Sequence, residues 1–161
     1  VLSKIENWSK NSSNSELEIV FLGKAENPEL QWLRDFESKK LQNVKLVYFE
    51  EKVPQNLFGS YMKNATYLWC PLQISTSFFS NEEIYGISKM SGIIADVINY
   101  KKIAVLPKVY PSNFPFIKAD TEDLESQIRL YSNQNFQYDF DAFSKEKVLG
   151  ILEKVLENLI K

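Results

Sequence analysis

The chain has 161 residues, 44% hydrophobic and 25% charged, the composition of one ordinary globular domain with enough apolar material for a core. A net charge of −2 gives no push toward nucleic acid or anionic lipid, and no apolar run reaches the ~18 residues that a bilayer span needs. One cysteine, Cys70, allows no internal disulfide and fits a reducing compartment, while the absence of histidine removes His-based triads, most zinc sites and the commonest general base.

In chain order, residues 1–10 predict a short helix with Leu2, Ile5 and Trp8 on one face, followed by a polar break, NSSNS, at 11–15. ELEIVFLG (16–23) reads as a strand buried on both faces and ended by Gly23. NPELQWLRDFESKKL predicts a helix with Leu30, Leu33 and Phe36 spaced at three and Trp32 beside them. VKLVYFE (44–50) is a second strand, VPQNLFGSYMKNA (53–65) a shorter helix, and TYLWCPL (66–72) a third strand. QISTSFFSNEE (73–83) has no clear period and reads as a loop, in which Phe78 and Phe79 form a lid or an apolar patch. YGISKMSGIIADVINYKK (85–102) predicts a helix opening near Ser88–Gly92, and IAVLP (103–107) a fourth strand. A short strand is expected at PFIKAD, then a helix over 121–133 with Thr121 as N-cap. The last helix, 143–161, carries a stripe of Val148, Leu152, Val155 and Leu159, widened by Leu149, Ile151, Leu156 and Ile160.

Alternating strands and helices with buried strands predict one α/β domain over 1–161: a Rossmann-like, doubly wound parallel sheet with helices on both faces. Residues 1–15 would be an N-terminal helix and linker, 16–120 the sheet core and 121–161 the C-terminal helices. Such sheets bind ligands in the loops at the carboxyl ends of their strands.

Among those loops, 85–92 stands out. Ser88, Lys89, Ser91 and Gly92 precede an apolar helical pattern. A helix N-terminus offers unpaired N–H groups and a partial positive charge, the serines add hydroxyl donors, Lys89 adds a cation, and Gly92 permits close approach. This combination suits a phosphate or diphosphate, and an ordinary capped helix with a solvated lysine would use the same residue types. Neither GxxxxGK[ST] nor GxGxxG is present. Cys70 reads as structural, since no histidine could activate it. Asp139, Asp141 and Glu146 read as solvated or capping carboxylates, and no metal set is expected.

The order LEIVFLGK, VKLVYFEEKVP, LFGSYMKNA, YLWCPL, NEEIYG, helix, IAVLP resembles the C-terminal, donor-binding half of GT-B glycosyltransferases. It is most similar to bacterial cell-surface polysaccharide transferases with a Tyr-Gly-x-[Ser/Thr]-Lys-x-Ser-Gly segment. The resemblance covers about residues 16–160. It implies a nucleotide-diphospho-sugar as donor substrate, with no separate cofactor. Ser88, Lys89, Ser91 and Gly92 would face the diphosphate, Gly23 and Lys24 would line the cleft, and the segment around Lys52 and Val53 would meet the base. Glu82 or Glu83 would approach the donor sugar. Many retaining members carry Glu-x7-Glu, but eight residues after Glu82 is Met90 and eight after Glu83 is Ser91. Counting back from IAVLP places Asp96 at the ribose, counting forward from Lys89 places Gly92 there, and an ordinary helix carboxylate remains open for Asp96.

A complete enzyme of this kind has two halves, at ~150 residues each. The resemblance therefore implies an excised donor domain whose partner is an N-terminal acceptor-binding half, inactive alone, in a cytoplasmic protein that allows peripheral membrane association. The terminal helix would pack here or cross to that half. Two other classes compete. A flavodoxin-like receiver is disfavoured because the first strand ends in Gly-Lys and the third in Cys-Pro. A non-catalytic scaffold that kept the fold and lost the site stays open.

Overall fold

The computed structural model describes residues 1–12, 14–132 and 137–160. Ser13 in the predicted polar break, Asn133 at the predicted helix end, Lys161, and the side chains of Phe78 and Ile160 lie outside the described residues.

The elements are α1 (Leu2–Asn11), β1 (Leu17–Lys24), α2 (Glu29–Glu37), β2 (Val44–Phe49), α3 (Gln55–Asn64), β3 (Leu68–Trp69), β4 (Ser75–Phe78), β5 (Asn81–Ile84), α4 (Ile93–Tyr100), β6 (Ala104–Leu106), β7 (Ile117–Ala119), α5 (Leu124–Tyr131), a 3-10 turn (Phe140–Phe143) and α6 (Lys145–Ile160). The class is α/β. Strands β1 and β2 pair in parallel, β3, β6 and β7 form a three-stranded parallel sheet in that order, and β4 and β5 form an antiparallel pair. The chain divides into two compact units, Val1–Thr66 with Asp120–Asn133 and Tyr67–Ala119 with Gln134–Lys161.

In the first unit, α1 turns its predicted face inward: Ile5 and Trp8 are buried. The Trp8 indole N–H donates to the Glu125 carboxylate of α5 at 2.9 Å, and Lys4 pairs with Asp120 at 3.0 Å. Asn43 donates to the carbonyls of Ser9 and Ser12, which satisfies acceptors that the end of α1 leaves without helical partners. Helix α2 buries Leu33 and Phe36 but leaves Trp32 about half exposed. Register runs from Leu17↔Val44 to Phe21↔Tyr48 and then shifts, so that Lys24 faces Phe49. Gly23 sits in that bulge, where Leu22 and Gly23 are left outside the ladder.

The N-cap of α5 is Asp123, not Thr121. Its carboxylate accepts from the Ser126 N–H at 2.7 Å and the Ser126 hydroxyl at 2.9 Å, while the Thr121 hydroxyl donates to the Asp123 carbonyl. These bonds favour the ionised carboxylate and hold its pKa below the ordinary value. A depressed carboxylate contributes stability that is present above the unfolded pKa near 4 and lost as pH falls through the folded one. Asparagine also caps but does not titrate. Asp123→Asn is therefore expected to keep the urea midpoint of the wild type at pH 7 and to flatten its decline between pH 5 and 2. An unchanged decline would remove Asp123 from the acid sensitivity.

In the second unit, the run 103–106 is buried residue by residue, as expected of a strand covered on both faces. Ile94 and Val97 of α4 are buried, as is Phe116, which leads into β7. Phe116 lies among Phe114, Tyr138, Phe140 and Phe143, with ring centroids 5.1–6.4 Å from its own. The predicted third strand is reduced to Leu68–Trp69, although the Cys70 N–H still reaches the Val105 carbonyl at 2.9 Å. The predicted stripe of α6 is helical, and Val148, Leu152 and Val155 are about half exposed, with Leu159 more so. Asp139 caps the 3-10 turn through the Ala142 N–H, and Asp141 pairs with Lys101. Among the described residues, no helix is long and apolar enough to cross a membrane.

One expectation in this unit is corrected and another is narrowed. Residues 73–83 are not an irregular loop, because β4 and β5 pair in a hairpin from Ser75↔Ile84 to Phe78↔Asn81. STSF and NEEI lack the apolar alternation that marks a strand with one buried face, so periodicity could not find them. Phe79, at the two-residue tip, has φ +54° and is 89% exposed. The helix expected to open near Ser88–Gly92 does so at the far end of that span. Residues 85–92 form a turn, and α4 begins at Ile93 with Gly92 as its N-cap.

Candidate functional site

The turn owes its shape to one carbonyl. The N–H groups of Ile87, Ser88 and Lys89 all reach the Ile84 oxygen, at 3.1, 3.0 and 3.2 Å, and the Gly86 N–H closes onto the Lys89 carbonyl at 2.8 Å. Gly86 has φ +87°, and a Cβ there would stand 2.9 Å from Pro111 Cγ. Glycine is thus required twice, for its backbone angle and for the close approach of the 111 segment. The Ser88 hydroxyl oxygen accepts from the Ile84 N–H at 2.8 Å, so its first duty is to close the turn.

The turn delivers Lys89 and Ser91 to the start of α4. The Ser91 hydroxyl accepts from the Ile93 N–H at 3.4 Å, and the Ser91 carbonyl accepts from the Ile94 N–H. Gly92 leaves the helix entrance open, with nothing within 4 Å of where a Cβ would stand. The Lys89 ammonium pairs with Glu83 at 2.6 Å and lies 5.3 Å from the centre of the Tyr85 ring. The bond to Glu83, chiefly, raises the lysine pKa and keeps the group charged.

The hairpin separates the two predicted glutamates. Successive strand residues point to opposite faces. Glu83 stands opposite Thr76 and reaches Lys89, whereas Glu82 stands opposite Ser77 and accepts from the Ser75 hydroxyl at 2.7 Å. Glu82 borders an open hollow of about 390 Å³ with Ser75, Ser77 and Phe79. Neither Lys89 nor Glu83 is in its lining, although Thr76, the cross-strand partner of Glu83, is.

Asp96 lies one turn into α4, and partial burial raises its carboxyl pKa. Burial chiefly, and the charge of Asp96 in addition, push the Cys70 thiol up to about 12. A thiol so held is not a nucleophile at neutral pH.

Gly23, Lys24 and Val53 belong to the other unit. Parallel pairing sets the end of β1 beside the end of β2, where the Ala25 N–H donates to the Phe49 carbonyl at 2.7 Å. Lys24 pairs with Glu26 at 2.8 Å and also feels the charge of Glu51. Val53 is half-buried between β2 and α3. Within the second unit, the structure joins Lys89 to Glu83, sets Ser88, Ser91 and Gly92 along the same segment leading into α4, and turns Glu82 to the other face of the hairpin.

Three residues of this site had no role in it assigned from the sequence, although Tyr85 opens the Tyr-Gly segment. Tyr85 lies beneath the lysine, Pro111 presses on Gly86, and Thr76 faces Glu83. The Thr76 partnership follows from the hairpin register, and it becomes visible once 75–78 and 81–84 are recognised as strands. Comparison with protein-family models, with curated proteins and with solved structures finds no match to this chain.

Proposed function

We propose that this chain is the donor-binding half of a GT-B glycosyltransferase, holding a nucleotide-diphospho-sugar by its diphosphate. The observation that carries the reading is the placement of Lys89, Ser91 and Gly92 at the N-terminus of α4, in a unit built on a parallel sheet. That helix end supplies oriented N–H groups, the lysine a movable cation, and the serine a hydroxyl. As the glycosidic bond breaks, negative charge builds on the departing diphosphate. Groups aimed at that charge bind the transition state more strongly than the ground state. Glu83, beside the lysine, is the carboxylate within reach of the donor sugar. The reading includes a Rossmann-like, doubly wound arrangement of the strands. It also includes an acceptor-binding half as partner, a glycan or lipid-linked acceptor, a role in cell-surface polysaccharide synthesis, and a cytoplasmic location that allows peripheral contact with the membrane.

The second reading is a scaffold that retains the fold without the site. The Lys89–Glu83 pair favours it, because the lysine already has an anion. A thermal-shift screen against UDP, GDP, ADP and CDP separates the two, with the matching monophosphates as controls. A ligand that binds only the folded state raises the midpoint in proportion to RT ln(1 + [L]/Kd). The donor-binding reading expects a shift with one diphosphate and little with its monophosphate. A scaffold gives none with any of the four at millimolar ligand.

A further inference from the structure

We infer that Glu83 is a built-in counter-ion which holds Lys89 until a more highly charged anion displaces it, so that anion binding and release of the Glu83 carboxylate form one coupled exchange. This rests on the phosphate-site reading and concerns how its lysine is held.

Three observations carry the inference. The backbone on both sides of the pair is fixed independently of it, Glu83 by the β4–β5 ladder and Lys89 by the turn closed on the Ile84 carbonyl. Opening the pair therefore needs only side-chain rotation. The two side chains are 28% and 36% exposed, so neither charge is stranded when the contact opens. A fully buried pair could not exchange in this way, because separating it leaves an uncompensated charge in a dry site. Finally, the carboxylate has somewhere to go. Directly across the ladder the Thr76 hydroxyl oxygen is buried without a hydrogen-bond partner among the described residues. Cross-strand neighbours lie close enough for that hydroxyl to donate to Glu83 once the lysine has turned away. A diphosphate carries more negative charge than one carboxylate and competes well for the ammonium. Its arrival frees Glu83 next to whatever the diphosphate carries.

The test is calorimetric titration of inorganic pyrophosphate into the wild-type chain and the variants Glu83→Gln, Lys89→Ala and Glu83→Gln/Lys89→Ala, each checked for folding by circular dichroism. Glu83→Gln removes both the competitor and its repulsion of the anion, so it is expected to bind pyrophosphate about three- to tenfold more tightly. The double variant is expected to bind no better than Lys89→Ala. If the glutamine variant does not fold, Glu83→Asp, whose shorter side chain draws the carboxylate back, is expected to show a smaller gain. Equal or weaker binding by the Glu83 variant, or a gain that persists without Lys89, overturns the counter-ion role. In that case a loss in Lys89→Ala still leaves the phosphate site standing. No pyrophosphate binding by either the wild type or Glu83→Gln overturns both the counter-ion role and the phosphate site.

Discussion

Phe116→Ala is expected to destabilise the second unit by about 3–5 kcal/mol, the range for truncating a large buried aromatic. The ring is 1% exposed. It stacks on Phe114 with planes 11° apart, meets Phe143 and Tyr138 edge-on, and lies tilted against Phe140. Alanine would remove its contacts with all four rings and leave a void between β7 and the 3-10 turn. Domains of this size are stable by about 5–15 kcal/mol, so the loss is a large share of the total. Urea unfolding followed by far-UV circular dichroism reads it directly. Phe116→Leu, which keeps most of the volume, is expected to lose much less. A loss under about 1 kcal/mol in the alanine variant would mean that the five rings do not form the core that their geometry describes.

Lys89→Ala is expected to weaken nucleoside-diphosphate binding by about tenfold or more, the scale of a charge-assisted hydrogen bond to phosphate. The urea midpoint should stay close to that of the wild type, because the lysine is on the surface and its pair with Glu83 is partly solvated. Lys89→Arg keeps the charge and is expected to keep part of the affinity, with a different geometry. Equal affinity in the alanine variant and the wild type would remove the lysine from the site.

Elements with strong apolar signals were legible in the sequence. The first two strands, the helix burying Leu33 and Phe36 and the 103–106 strand lie where apolar runs and spacing put them, and Cys70 is held as an inert thiol. What escaped is polar. Apart from Phe78 and Ile84 at their ends, the paired strands β4 and β5 consist of serines, a threonine, an asparagine and glutamates, so no face of the hairpin announces burial. The start of α4 lies at the far end of the Ser88–Gly92 span, although Ser88 and Gly86 are themselves ordinary helix-entry residues. Only the convergence of three N–H groups on the Ile84 carbonyl shows that they belong to a preceding turn. Asp123 outcompeted Thr121 as a cap because its carboxylate reaches both the N–H and the hydroxyl of Ser126. Within the site, Lys89, Ser91 and Gly92 could be singled out from residue type and order. Their tie to Glu83 could not, since it depends on the hairpin register.

The central claim is that a diphosphate sits at the start of α4. It is tested most directly by amide chemical-shift mapping of the ¹⁵N-labelled chain during titration with the nucleoside diphosphate that gives the largest thermal shift, or with UDP if none does. The donor-binding reading predicts saturable shifts concentrated at the amides of Lys89, Ser91, Gly92, Ile93 and Ile94, and their loss in Lys89→Ala. Shifts centred elsewhere, or none up to millimolar ligand, would contradict it.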